Sequence, residues 1–481
     1  MGLREQAAHG VRWTSVSMAT TTVVGVLQVA ILARLLSRAD FGLLAMIMTV
    51  VGFAQVYADM GFSAAIIYRQ DATRDELSTL YWMNLAASFG LFFVMVATSP
   101  AVAVFYHQPG LQTAMIWASA IFLITPFGQQ FQMLLQKQLL FKRLSVIEML
   151  ASVLGLCVAV TAALAHQGVY ALIWGQLANA GTKSLLLAVY GWRNWRPHLH
   201  LRFGDLKGYL GFGLYQMGEN SVYYWAANAD YLFIGRFLGA TPLGVYTIAY
   251  QLVVMPLVKL TPVLTRVSFP VFAKRQDDDP ALRRGYCKVI ELVAFVSWPL
   301  LVGLAATAPV AVLVLYGRRW TASILLVQLL VPMGMIQAIG GPSGSLFNAK
   351  GRADIGFWYN VGSSIVTVGV LYVAVHIGVA AVAASHSLIS IATMPAELYL
   401  LWRVSRLRPL EYVRQLAAPA VTSGIMGVCV YATYLAIRGS LRPVPCLALL
   451  IAEGVAVYMV EWRLYRRDYM PELWRLLVSR A

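Results

Sequence analysis

Charge is scarce in this sequence. Of its 481 residues only 12% are Asp, Glu, Lys or Arg, about half the share a water-facing surface needs, which excludes a soluble globule. With 59% hydrophobic residues and a mean hydropathy of +0.68, the chain reads as a polytopic membrane protein. Cysteine is scarce as well. Cys157, Cys287, Cys429 and Cys446 lie in or beside apolar segments without metal-ligand spacing, so they imply no disulfide framework and read as small core residues. A Walker-type glycine loop, an HExxH motif and paired metal-binding cysteines are all missing, and nothing marks an ATPase or a metalloenzyme. No loop is long enough to fold as a domain, which a membrane polymerase or glycosyltransferase would be expected to offer. No enzymatic activity, cofactor or metal is therefore expected.

What is abundant is apolar runs of bilayer length. Scanning for stretches of roughly twenty residues gives about fourteen helices, an all-α integral membrane fold. The expected spans are 12–36, 41–66, 79–105, 111–136, 144–165, 169–192, 209–234, 243–270, 289–316, 321–348, 354–376, 379–402, 412–437 and 443–462. Turn chemistry supplies the breaks, as at His107-Gln108-Pro109-Gly110, Gln167-Gly168 and Gly439 to Pro445. The first span follows about ten polar residues and is too long for a signal-peptide core, so it reads as retained.

The loops carry their basic residues on one side. With a cytoplasmic N-terminus, that side holds about 27 of the 37 Lys and Arg residues against about seven opposite, an asymmetry that places both termini in the cytoplasm. The formal charge of +16 then reflects topology and contact with anionic membrane lipids. It does not signal nucleic acid, because the basic groups are divided among short loops. The longest connector, 271–288, carries Asp277, Asp278 and Asp279, which read as capping or repelling groups rather than metal ligands. The tail from Arg463 to Arg480, with Trp474, reads as an interfacial amphipathic segment.

A duplication organises the spans. Ala33 to Ala45 aligns without a gap with Gly235 to Thr247, 202 residues later, pairing Arg34 with Arg236, Leu36 with Leu238 and Gly42 with Gly244. Two six-helix halves follow, each returning the chain to its starting side and so entering the membrane in the same orientation. The expected divisions are an N-terminal lobe over 1–207, a C-terminal lobe over 208–408, two additional helices over 409–465 and a cytoplasmic interfacial tail over 466–481.

The seventh span is the least lipid-like. Gln216, Glu219, Asn220, Tyr223 and Asp230 fall on one helical stripe. A carboxylate at mid-bilayer costs about 2.5–3.5 kcal/mol on insertion scales, so this face must meet protein or water. Shifting Gln216, Glu219, Tyr223, Ala227 and Asp230 back by 202 gives Thr14, Ser17, Thr21, Gly25 and Gln28, all small or polar. Either an interhelical hydrogen-bond network or the wall of a water-filled cavity would account for both faces. Tyr215, Tyr223, Tyr224 and Trp225 would offer aromatic surfaces suited to sugar rings, or ordinary packing. Basic residues within spans form a second group: Lys183, Lys259 and Arg266, with Arg34 and Arg236 near the outer helix ends. Snorkelling or ion pairing is one reading, with Glu148 available to Lys183. A cationic lumen suited to a phosphate-bearing headgroup is the other.

The stretches 32–46 (LARLLSRADFGLLAM), 58–85 (ADMGFSAAIIYRQDATRDELSTLYWMNL), 134–152, 231–250 (YLFIGRFLGATPLGVYTIAY) and 264–280 resemble the Wzx-type polysaccharide flippases of the MATE-like multidrug/oligosaccharidyl-lipid/polysaccharide exporter superfamily. The resemblance covers most of the first twelve spans; the last two match only in number and hydrophobicity. It implies two six-helix bundles, a central cavity lined chiefly by helices 1, 2, 7 and 8, and rocking between inward-open and outward-open states. The implied substrate is an undecaprenyl-diphosphate-linked oligosaccharide moved from the cytoplasmic to the periplasmic leaflet of the bacterial inner membrane, for capsule, exopolysaccharide or O-antigen assembly. A polysaccharide polymerase and assembly proteins are further implied partners. Cation-coupled exchange is also implied, but no motif transfers a coupling residue, so Glu219 and Asp230 are candidates by position. A multidrug-type exporter of the same fold is the alternative.

Overall fold

The computed structural model describes residues 3–58, 73–202, 204, 210–273 and 278–465. Among them all regular structure is helical: fourteen main stretches, besides the short elements Ala229–Phe233, Ile234–Leu238 and Arg318–Trp320. The first seven are α1 (Leu3–Leu35), α2 (Arg38–Ala58), α3 (Arg74–Tyr106), α4 (Leu111–Ser119, Ile121–Ile124 and Pro126–Lys137 in series), α5 (Phe141–Leu164), α6 (Val169–Asn194) and α7 (Leu210–Ala227). The remainder are α8 (Ala240–Ala273), α9 (Asp279–Leu315), α10 (Ala322–Ala349), α11 (Ala353–Val375), α12 (Val379–Ser405), α13 (Pro409–Ile437) and α14 (Pro443–Tyr465). Eleven helices among the described residues are long and apolar enough to cross a membrane, or twelve when α4, bent by 45°, is taken as one span. The helix α6 falls short of that test because Gln176, Asn179 and Lys183 dilute its hydropathy.

Local chemistry sets the ends. Thr73 and Glu76 form a reciprocal capping box, so α3 begins five residues before the expected 79. Asp278 Oδ1 accepts the Ala281 N–H at 3.0 Å and starts α9 at 279 rather than 289, while Asp279 pairs with Lys350 at 2.6 Å. These two members of the acidic run therefore cap and pair; Asp277 and the basic tail lie outside the described residues. Pro126 opens the last segment of α4, where its ring is tolerated and the span bends. The seventh span, expected as continuous over 209–234, is broken: Asn228 leaves helical geometry, a short helix Ala229–Phe233 follows, and a π-turn Ile234–Leu238 ends at Gly239 with φ +88°.

The chain divides by packing into two compact units, one reaching Gly244 and the other beginning at Val245. The lobes expected from the repeat meet elsewhere, at 207/208. In the first unit α5 and α6 pack backbone to backbone through small residues, where a Cβ on Gly155 would stand 2.9 Å from the Gly175 carbonyl oxygen. Tyr81, Phe131, Leu135, Leu144, Ile147 and Leu187 close its interior. The head of α8 crosses the head of α2 at Gly42 and Gly244: a Cβ on Gly42 would lie 1.8 Å from the Ala240 carbonyl oxygen, and one on Gly244 would lie 1.9 Å from that of Arg38. Only glycine permits that approach. In the second unit α9 packs against α10, α13 and α14, with Ala306, Val310, Met426, Val430, Cys446 and Leu450 at the centre of the α9, α13 and α14 group. Cys287 and Cys446 are buried as expected, but Cys157 is exposed on α5 and Cys429 half-buried, so core packing does not account for all four.

Candidate functional site

The described part of α7 carries two chemically different faces. Its inner face is bolted to α2: the Tyr224 hydroxyl is within hydrogen-bond distance of the Met48 and Thr49 carbonyl oxygens, at 3.2 and 3.0 Å, and sits over Gly52. Ser221 donates to the Tyr57 hydroxyl at 2.9 Å, and the Trp225 ring lies 4.6 Å from that of Phe53. Tyr224 is therefore held against α2, whereas Trp225 leans on Phe53 but stays 39% exposed. On the outer face Asn220 and Tyr223 are exposed, Tyr223 by 66%. An exposed hydroxyl, amide and ring on one stripe can take up hydrogen bonds and stack against a sugar face. Gln216 and Glu219, expected on the same stripe, have side chains outside the described residues.

On α1 the polar face is largely turned to its own helix. Thr14 donates to Gly10 O at 2.9 Å and Thr21 to Ser17 O at 2.8 Å, the back-bonding that lets hydroxyls sit in an apolar span. Ser17 is buried and reaches the Glu148 carboxylate at 3.4 Å. That carboxylate lies 3.5 Å from Lys183 Nζ, so α1, α5 and α6 share one polar cluster within the first unit. Gln28 is half-buried near the other end of α1.

Arg34 is exposed in the last turn of α1, where the helix dipole favours a cation. Arg236, its partner in the repeat, lies in the π-turn with its guanidinium 5.3 Å from the Phe105 ring centre and in contact with the His107 ring, closing the α3–α4 corner. Asp230 is buried in the first turn of the short helix Ala229–Phe233, and its Oδ1 accepts the Tyr231 N–H at 2.8 Å. The side chains of Lys259 and Arg266 lie outside the described residues. Of the five basic residues expected to share a cationic face, Lys183 thus joins Glu148 while Arg236 joins His107 and Phe105.

Sequence reasoning passed over other polar groups in spans. Glu397 of α12 approaches α10 at Gly340, 3.9 Å from a Cβ placed there, and Glu453 of α14 accepts from Thr433 of α13 at 2.7 Å. The signal available for both was a lone carboxylate inside an apolar run. Asp75, His198 and His200 bring ligand atoms within 4.8 Å of one another, the one such group among the described residues. The Asp75–His198 hydrogen bond of 2.9 Å already accounts for that pair.

Residues 31–325 match the family described as polysaccharide biosynthesis protein. The chain is 34% identical over 460 residues to the teichuronic acid biosynthesis protein TuaB of Bacillus subtilis, covering 95% of each. It is 33% identical over 361 residues to the lipopolysaccharide biosynthesis protein WzxC of Escherichia coli, covering 75% of this chain and 73% of that one. Among solved structures its fold is similar to the lipid II flippase MurJ in an inward closed conformation, with a TM-score of 0.77, 13% identity, and coverage of 95% of this chain and 99% of that one. A multidrug resistance MATE family transporter in an inward-facing conformation matches with a TM-score of 0.61 at 18% identity, over 83% of this chain and 98% of that one.

Proposed function

The chain belongs to the polysaccharide biosynthesis protein family, and from that membership we propose that it is a flippase for undecaprenyl-diphosphate-linked oligosaccharides. It moves the repeat unit from the cytoplasmic to the periplasmic leaflet of a bacterial inner membrane by alternating access, supplying exopolysaccharide, capsule or O-antigen assembly. The single observation that carries this reading is the end-to-end similarity to a relative named for teichuronic acid biosynthesis. The flippase-like fold supports it. Both termini are cytoplasmic in this reading, supported by the loop-charge asymmetry, and a polysaccharide polymerase receives the product.

The 1–207 and 208–408 lobes act as the two moving halves. Asn220 and Tyr223, exposed on α7, contact the oligosaccharide, with Gln28 and Gln216 as further candidates by sequence position. Arg34, exposed at the end of α1, supplies positive charge for the diphosphate, with Lys259 and Arg266 as further candidates by sequence position, while Lys183, paired with Glu148, and Arg236, packed on Phe105 and His107, are the weaker candidates; the polyprenyl tail stays in lipid. Glu219 and Asp230 are the candidate coupling carboxylates.

The test is deletion of the gene in its own strain. The expected result is loss of the surface polysaccharide with accumulation of its lipid-linked repeat unit in the inner membrane, both reversed by re-expression. Intact polysaccharide with heightened sensitivity to cationic drugs would overturn the flippase reading in favour of a MATE-like exporter.

A further inference from the structure

Between the N-terminal end of α5 and the C-terminal end of α6 lies a groove of about 610 Å³ that none of the assignments above uses. Three cations stand at its mouth: Lys142 and Arg143 in the first turn of α5, and Arg193 in the last turn of α6. Arg143 is held 4.5 Å over the Tyr190 ring, and Lys142 5.2 Å over that of Trp13, so two of the three are positioned by aromatic faces. The first turn of α5 contains no carboxylate, and among the described residues none of the three cations forms an ion pair. The cation that Glu148 neutralises is Lys183.

Away from the mouth the groove turns apolar. Val146 and Leu150 follow Lys142 at four-residue intervals along α5, and Val189 and Leu186 precede Arg193 on the antiparallel α6. Eight residues of helix carry this floor about 12 Å into the apolar span. Val146, Leu150 and Val189 are 37%, 50% and 51% exposed, so the flank is open where hydrocarbon chains lie. A free phosphate would satisfy the mouth and leave this flank unused.

We propose that this groove is a binding site for an anionic phospholipid of the bilayer, with the phosphate among Lys142, Arg143 and Arg193 and an acyl chain along Val146, Leu150 and Val189. The bound lipid supplies the counter-charge that the protein does not. The site lies within the first unit and does not depend on what the protein transports.

Native mass spectrometry of the full chain released from detergent micelles tests this, with phosphatidylglycerol, cardiolipin and phosphatidylcholine of matched chains as probes. Phosphatidylglycerol and cardiolipin should stay bound at collision energies that strip phosphatidylcholine. The variant Lys142→Gln/Arg143→Gln/Arg193→Gln should retain about tenfold less of them. A charge-preserving variant, Lys142→Arg/Arg143→Lys/Arg193→Lys, should retain the lipid and so separates loss of the site from loss of the fold. Equal retention by the wild type and the glutamine variant overturns the proposal. So does displacement of the lipid by millimolar inorganic phosphate, or retention of undecaprenyl phosphate in place of both phospholipids.

Discussion

Glu148 of α5 and Lys183 of α6 face each other at 3.5 Å inside two apolar helices, each about one-third exposed, with Ser17 of α1 on the carboxylate. Opposite charges so placed lower each other's cost of leaving water, and removing one leaves the other stranded. This pair sits between the surface case, where an ion pair contributes little, and the fully buried one.

Lys183→Gln alone should therefore destabilise the protein by about 1–3 kcal/mol, between the surface and buried limits. The double variant Lys183→Gln/Glu148→Gln should recover at least half of that. A double-mutant cycle read by thermal unfolding in detergent gives the coupling. Additive losses would show that the two residues act independently, and transport measured on the double variant then reports whether Lys183 also meets the substrate.

The two faces of α7 predict opposite phenotypes. Tyr224→Phe removes the hydrogen bonds to Met48 and Thr49 and should cost about 0.5–1.5 kcal/mol of stability. Tyr223→Ala, at a position 66% exposed, should leave stability within about 0.5 kcal/mol of wild type while lowering transport. Polysaccharide export normalised to folded protein in the membrane distinguishes them.

Gly42→Ala and Gly244→Ala each drive a methyl group into backbone, at 1.8 and 1.9 Å. Each should cost about 1–3 kcal/mol or more, the range for overpacking. Gly25→Ala, with nothing within 4 Å of its Cβ, is the matched control and should be neutral in fluorescence-detected size-exclusion yield.

If Asp230 couples transport to a proton gradient, Asp230→Asn should abolish the acceleration that a pH gradient gives in proteoliposomes. Its carboxylate accepts the Tyr231 N–H, a bond an amide oxygen can also accept, and the level of folded protein in the membrane separates loss of coupling from loss of fold. Wild-type gradient dependence in both Asp230→Asn and Glu219→Gln would remove these carboxylates from the coupling step.

For orientation, single cysteines at Gln108 and Gln167 in a cysteine-free background should react with an impermeant reagent from outside, while those at Asp278 and Arg408 should not. The opposite pattern reverses the topology.

Hydrophobicity made the number and order of the helices legible, because a span must be apolar for a bilayer's length whatever it packs against. Helix ends were less legible: Thr73 and Asp278 begin α3 and α9 well outside the apolar windows, since caps obey backbone hydrogen bonding and not hydropathy. The break at Asn228 was hidden because asparagine is also tolerated within helices. Around the candidate site the 3.6-residue period placed Asn220 and Tyr223 on one stripe, where both are exposed, but it could not tell which aromatic rings face a neighbouring helix. That choice is tertiary, and Phe53 and Tyr57 of α2 made it for Tyr224, Trp225 and Ser221.

The crossing at Gly42 and Gly244 reads the same from either side: Gly42 meets Ala240, Gly244 meets Arg38, and both Arg38 with Ala240 and Gly42 with Gly244 are 202 positions apart. Reciprocity of this kind is how a protein touches a second copy of itself across a twofold axis. The crossing therefore has, within one polypeptide, the geometry of a contact between two copies. Loss of either glycine would push the same two backbones apart.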